Sequence, residues 1–447
     1  MSLLHTPGYD AGTRALLVTV QHPNEDSIVS EETGAELREL VRALGLSPVG
    51  PIRAKLREPS ARFLLGSGKA REISDYAADH DAEWIVFDDP LSPSQQRNWE
   101  RLTQRVVVDR QEIILDIFAR HARTTEAKLQ VELAQMQYYL PRLAHAWTHL
   151  SRQKGGRRGT RGEGEKQIEL DRRQVLRRIQ ELRSELREVQ SRRATMRKRR
   201  VGVPVPTGSI VGYTNAGKSS LMRILTESDV RVANRPFATL DATTRRLGSQ
   251  FEGGAVLTDT VGFIQKLPPA LVDAFKSTLE ETVIAQFLVH VIDAASRNID
   301  RQFAATTEVL EELEVADRPR IFVFNKIDLV ADRFALQAAT ERLDCPPERT
   351  AFVSATTGEG VEHVLELIRQ LIDEQSAESV YLFPADRYDL IAYLHRNGHV
   401  ISVDHTDAGI EVHAHVSPEA SGKLSAYRQR QINGTPEQRS RRSQSAG

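Results

Sequence analysis

The sequence predicts a multidomain α/β protein: a phosphate-binding α/β domain, preceded by an α/β N-terminal domain with a long antiparallel helical hairpin and followed by a small α+β C-terminal domain. Three observations carry that prediction. Ser209-Ile210-Val211 reads as a strand end, Gly212-Tyr213-Thr214-Asn215-Ala216-Gly217-Lys218-Ser219 as a glycine-rich loop, and Leu221, Ile224 and Leu225 after Ser220 as the apolar face of a helix. In that order they make a P-loop, where backbone N–H groups and a helix N-terminus surround a phosphate. Short apolar runs alternate with helical patterns through the first 125 residues, and two apolar stripes with steps of three and four follow between 126 and 200.

A length of 447 residues suits about three domains. The expected boundaries are 1–125, 126–200, 201–375 and 376–428, with a basic, disordered tail over 429–447. Lys plus Arg is 60 and Asp plus Glu is 61, a net charge of −1, yet residues 151–200 hold 18 basic and 7 acidic side chains. Such local asymmetry is the footprint of a segment that meets a polyanion. The single cysteine, Cys345, excludes an internal disulfide and suits a reducing cytosol. No apolar run is long enough to span a bilayer, the N-terminus lacks a signal-peptide pattern, and neither end has a lipidation motif. The expectation is a cytoplasmic monomer with no DNA partner and no integral membrane association, at most transiently peripheral to a membrane.

In the N-terminal domain, strands are expected at Ala15–Val20, Phe63–Leu65, Trp84–Phe87 and Val106–Val108, with helices at 33–45, 69–79 and 93–103. Ser92-Pro93-Ser94-Gln95 reads as an N-cap, a proline at the first helical position and a capping-box glutamine. Asp88-Asp89 reads as a polar strand terminus rather than a catalytic pair. Gly66-Ser67-Gly68-Lys69 lacks full phosphate-loop spacing and is expected to be a turn.

Leu129, Leu133, Met136, Leu140, Leu143, Trp147 and Leu150 form one helical stripe, with a kink or end expected at Pro141. Val175, Ile179, Leu182, Leu186 and Val189 form the second, and two such stripes bury each other. Between them, residues 151–166 hold five glycines, six basic residues and no apolar anchor. That composition describes a mobile loop at the hairpin tip, either ordering on RNA or serving as a solvated linker.

Leu91-Ser92-Pro93-Ser94-Gln95-Gln96-Arg97-Asn98, the run Lys128–Gln135, and Gly159-Thr160-Arg161-Gly162 followed by Glu169-Leu170-Asp171-Arg172-Arg173 resemble the HflX GTPases over nearly all of residues 15–375. The resemblance implies a ribosome-associated GTPase that binds the large subunit and separates ribosomal subunits, particularly under stress. It also implies that the glycine-rich loop reaches ribosomal RNA near the peptidyl-transferase centre. Here Glu163 and Lys166 stand where the family usually has proline and threonine, and Arg157-Arg158 is more basic than usual.

Further motifs follow the P-loop in the order a Ras-like G domain requires. Lys218 is expected to reach the β- and γ-phosphates, and the Ser219 hydroxyl to ligate Mg²⁺. Phe237-Ala238-Thr239-Leu240-Asp241 lies in the first switch, where the resemblance implies that Thr239 ligates Mg²⁺. Asp259-Thr260-Val261-Gly262 supplies a carboxylate that holds Mg²⁺ through water and, at Gly262, an N–H toward the γ-phosphate. Lys218, Thr239 and Gly262 are the expected catalytic groups. Asn325-Lys326-Ile327-Asp328 selects guanine, because Asp328 can accept from N1–H and the 2-amino group, donors that adenine lacks. Ser354-Ala355, with Thr356, is expected to complete the base pocket with a backbone donor to O6. Phe263 occupies the position of the glutamine that orients the attacking water in Ras, so slow intrinsic GTP turnover is expected, and the resemblance implies that the ribosome accelerates it. Asn215 either supports a K⁺ ion at the phosphates, as in related GTPases, or fixes the loop. Two other readings share every one of these motifs: a GTPase of subunit assembly and a nucleotide-gated RNA-binding module.

Beyond 376, Val380–Phe383, a helix over Tyr388–Asn397, Val400–Val403 and Ile410–His413 predict a small β-α-β-β unit. His395, His399, His405, His413 and His415 fall close together, but no cysteine accompanies them and the spacing fits no structural zinc pattern.

Overall fold

The computed structural model describes residues 12–23, 27–143, 161–200, 206–226, 243–248, 255–264, 281–375, 377–416 and 418–432. The chain divides into two compact units. One is Met1–Ser191 with Ala233–Asp241 and Val261–Leu279, and the other is Arg192–Val232, Ala242–Thr260 and Glu280–Gly447.

The first unit opens with a parallel sheet in the order β2-β1-β3-β4, from strands β1 (Arg14–Gln21), β2 (Ser47–Lys55), β3 (Trp84–Phe87) and β4 (Val106–Asp109). Helices α1 (Ser27–Ala43), α2 (Ser67–Asp79), α3 (Pro93–Thr103) and α4 (Arg110–His121) alternate with the strands. The expected strand at Phe63–Leu65 is instead a tight turn closed by a Ser60–Leu64 bridge. Its apolar residues serve packing: Phe63 sits edge-on to Trp99 at 5.5 Å, and Trp99 Nε1 donates to the Phe63 carbonyl. The strand that the pattern missed is β2, whose Pro48, Gly50 and Pro51 are tolerated because it forms the sheet edge. Ser92 caps α3 as expected, accepting from Gln95 N at 3.2 Å while Gln95 Oε1 accepts from Ser92 N at 2.9 Å. Gly66-Ser67-Gly68-Lys69 starts α2 rather than forming a free turn, and Lys69 is paired with Glu72 at 2.5 Å.

Helix α5 (Thr125–Tyr139) ends at a single 3-10 turn over Leu140–Arg142, where Pro141 was expected to interrupt it. Helix α6 runs from Arg161 to Arg200, so the C-terminal part of the expected loop, residues 161–166, is helical. The two stripes meet as expected: Leu129, Leu133 and Met136 pack on Val175, Ile179, Leu182 and Leu186. Arg178 ties the helices across this seam through Glu132, at 2.9 Å. Trp147, Leu150 and positions 151–160 lie outside the described residues.

The second unit contains a six-stranded sheet in the order β10-β9-β8-β5-β7-β6. Its strands are β5 (Thr207–Gly212), β6 (Thr243–Arg246), β7 (Val256–Asp259), β8 (Phe287–Asp293), β9 (Arg320–Asn325) and β10 (Thr350–Phe352), all parallel except β6. Helices α7 (Lys218–Leu225), α8 (Ile299–Glu312), α9 (Arg333–Arg342) and α10 (Val361–Gln375) accompany it. Ile210, Leu257, Phe287, Val289 and Val291 of the strands pack with Leu221 and Leu225 of α7 and Val364 and Ile368 of α10 in one core.

The same unit ends in an antiparallel sheet, order β12-β13-β11-β14: β11 (Ala377–Phe383), β12 (Gly398–Thr406), β13 (Gly409–Val416) and β14 (Arg428–Ile432). Helices α11 (Tyr388–Asn397) and α12 (Pro418–Lys423) join these strands. The final strand corrects the expected start of the tail: residues 430–432 pair with β11 although the stretch is mostly polar, because hydrogen bonding to a sheet edge requires no apolar side chain.

Candidate functional site

The motifs converge because the sheet delivers them. Gly212 ends β5, Asp259 ends β7, Asn325 ends β9 and Phe352 ends β10 just before Ser354, all at the C-terminal edge of parallel strands, where open α/β sheets hold ligands.

The loop after β5 takes its shape from two glycines. Gly212 has φ +145°, and a Cβ there would lie 2.2 Å from the Val291 carbonyl oxygen. Gly217 has φ +94°, and its Cβ would lie 2.1 Å from Asn325 Nδ2. Only glycine satisfies both the backbone and the space. Asn215 also takes the left-handed conformation, with φ +61°.

Lys218, the first residue of α7, is buried, and its Nζ donates to the Gly212 and Tyr213 carbonyls at 3.0 and 2.9 Å. Burial lowers its pKa from 10.5 to about 8, against the attraction of Asp259. The adjacent Ser219 Oγ donates to Asp259 Oδ2 at 2.7 Å. A serine hydroxyl beside a carboxylate is a donor set that suits a small hard cation, so these residues fit Mg²⁺. Thr214, in the loop itself, buries an Oγ1 that has no hydrogen-bond partner among the described residues.

Asn325 links the loops around the site. Its Nδ2 donates to the Ala216 carbonyl at 2.8 Å and its Oδ1 accepts from Ala355 N at 3.0 Å, so one side chain clamps the P-loop to the loop after β10. Lys326, at φ +68°, places Nζ 2.7 Å from Asp293 Oδ2 at the end of β8. Sequence reasoning did not single out Asp293, although its place at the end of the apolar run Phe287–Ile292 was a usable signal. Ile327 is buried while Asp328 is exposed, which leaves its carboxylate available. Ser354 is buried, and its Oγ accepts from Thr356 N and Thr357 N at 3.3 and 3.1 Å. Tyr213, Ala216, Thr260 and Val261 are buried, Ser220 is partly so, and Phe263 is withdrawn from solvent. Gly262 is described, whereas Phe237, Ala238, Thr239, Leu240 and Asp241 lie outside the described residues.

A parallel sheet with one antiparallel edge strand, a glycine-shaped loop closed on a buried lysine, and a Ser–Asp pair beside it define a P-loop nucleotide-binding protein of the GTPase class. Family models match in series: "GTP-binding GTPase N-terminal" over residues 31–119, "GTP-binding GTPase Middle Region" over 121–200, "50S ribosome-binding GTPase" over 207–326 and "HflX C-terminal domain" over 341–439. The GTPase HflX of Akkermansia muciniphila is 45% identical over 423 residues, covering 93% of this chain and 96% of the relative. That of Escherichia coli is 42% identical, covering 84% and 87%. Among solved structures, a GTP-binding protein of Sulfolobus solfataricus in complex with GDP aligns at 25% identity and a TM-score of 0.43, over 80% of this chain and 98% of that one. The chain belongs to the HflX family and is a GTPase.

Proposed function

We propose that the protein uses GTP to bind the large ribosomal subunit and separate ribosomal subunits, with its greatest use under stress. The observation that carries the nucleotide part is the P-loop geometry, in which a buried lysine and a Ser–Asp pair 2.7 Å apart face one glycine-shaped loop.

In this reading residues 212–220 cradle the phosphates, with Lys218 exchanging its two carbonyl partners for β- and γ-phosphate oxygens. Ser219 and Thr239 would hold Mg²⁺, with Asp259 assisting through water, and the bound ion would offset charge on the phosphates. Gly262 offers its N–H to the γ-phosphate. Asp328 reads guanine, Asn325 holds Ala355 in place for the base, and Lys326 covers the ring while Asp293 fixes its direction. Asn215 is the residue that would favour a K⁺ ion at the phosphates. With Phe263 buried where a water-orienting glutamine would be needed, intrinsic hydrolysis is slow and the ribosome completes the site.

The partner assignment rests on the basic stretch 151–200 with the helical arm that carries it, together with family membership. Sedimentation of intact ribosomes with this protein and GTP, or a non-hydrolysable analogue, tests it. Free subunits should accumulate in the triphosphate state, and an unaltered profile rejects the splitting role. Deleting residues 154–166 should leave GTP binding intact while weakening that action.

A further inference from the structure

We propose that Thr282 and Thr260 are positioning residues for GTP hydrolysis: two buried hydroxyls that moor both ends of the 261–281 segment to consecutive residues of β5. Thr282 Oγ1 lies 2.9 Å from Ser209 Oγ. Thr260 Oγ1 donates to the carbonyl of Ile210, the next residue of β5, at 2.7 Å. Ser209, Thr260 and Thr282 are all 0% exposed.

Packing alone does not call for these hydroxyls. Valine or alanine would fill nearly the same volume without the desolvation cost of a buried polar group. What the hydroxyls add is register. Thr260 follows Asp259, the carboxylate that accepts from Ser219, and three residues after Ser209 the chain reaches Gly212. Gly212 has no slack, since a Cβ there would lie 2.2 Å from the Val291 carbonyl oxygen. A slip of β5 against either mooring therefore shifts the phosphate loop relative to Asp259. The chain also passes out of the second compact unit after Thr260 and returns to it at Glu280, so one mooring stands at the exit and the other two residues past the return. The proposal concerns hydrolysis by this unit and does not depend on the ribosome being the partner.

The test is steady-state GTP turnover and GDP affinity in the full-length protein for Thr282→Val, Thr260→Val and Ser209→Ala, with Thr282→Ser and Thr260→Ser as conservative variants. Each lost bond should lower kcat by about threefold to tenfold, while GDP affinity stays within about twofold. The serine variants, which keep the hydroxyl, should turn over GTP like the parent. Ser209→Ala combined with Thr282→Val should be no slower than Thr282→Val alone, because both remove one bond. Parental kcat in folded Thr282→Val and Thr260→Val overturns the proposal. So does a fall in GDP affinity that matches the fall in kcat, the mark of a merely structural role. Should Thr282→Val fail to fold, Ser209→Ala removes the same bond from the other side, and parental turnover there overturns the role of Thr282.

Discussion

Both compact units bury charge at the C-terminal edge of a parallel sheet, and they dispose of it in opposite ways. In the first, Arg110 is fully enclosed and donates to Asp88 at 2.7 Å and Glu36 at 2.6 Å. Beside it Asp109 accepts from Leu91 N, Glu112 N and Tyr138 Oη, and Arg142 lies over the Tyr138 ring at 3.6 Å. The charges there answer one another. In the second, among the described residues, Lys218 donates to neutral carbonyls of its own loop, and burial lowers its pKa against the attraction of Asp259. A buried cation hydrogen-bonded to neutral acceptors on a glycine-shaped loop leaves its donors open to exchange for an arriving anion. A mutually paired cluster asks for nothing.

The strongest way to break that contrast is to remove the cation from each region. Lys218→Ala should lower GTP turnover by at least about 100-fold with little loss of fold, because the missing partner is the ligand. Near-parental turnover in that variant ends the assignment of the site. Arg110→Ala should do the reverse. It removes the buried cation that Asp88 and Glu36 face, and should cost the N-terminal unit about 3–5 kcal/mol in denaturant unfolding while intrinsic GTP turnover stays at the parental rate. A turnover defect in Arg110→Ala would show that the paired cluster is not inert.

How legible each region was in the sequence follows from the same contrast. The P-loop could be read in full because its chemistry is local: Gly212, Gly217, Lys218 and Ser219 stand within eight residues, and their spacing is the signal. The stripes of α5 and α6 were legible for a similar reason, since helical periodicity is written along the chain. Asp88-Asp89 was not. Nothing near them in sequence announces Arg110 at 22 positions' distance or His22 at 67, so a pair that looks like a polar terminus is in fact buried and bonded. The two hydrogen bonds of Asn325, donated to the Ala216 carbonyl and accepted from Ala355 N, were hidden likewise, because sheet order and not sequence brings three loops together. Strand β2 escaped because Pro48 and Pro51 argue against a strand unless its edge position is known.

The remaining predictions sharpen the comparison through pH. In the P-loop the titrating event is ligand binding. With Lys218 at about 8 in the free protein and restored toward 10.5 by a triphosphate, binding takes up a proton between those values. Affinity for a non-hydrolysable GTP analogue should be flat below pH 8, then fall by about tenfold toward pH 9. Affinity that holds constant across that interval would place the lysine outside the phosphate site.

In the N-terminal unit the titrating event is folding itself. Burial, reinforced by Asp109 and Asp116 and opposed by Tyr139 and Arg142, raises Glu112 from 4.5 to about 8. A carboxyl raised in the folded state contributes stability that is fully present below pH 4.5 and is lost as pH rises through about 8. Glu112→Gln keeps the shape and the neutrality of the protonated form facing Tyr138, Tyr139 and Gln96. It should flatten that slope and stabilise the unit near pH 8 by up to roughly 4 kcal/mol, leaving nucleotide affinity at every pH as it was. Unfolding midpoints at pH 5 and pH 8 for parent and variant decide the matter. An undiminished slope in Glu112→Gln assigns the proton to another group, whereas a change in nucleotide affinity would couple the chemistry of the two regions.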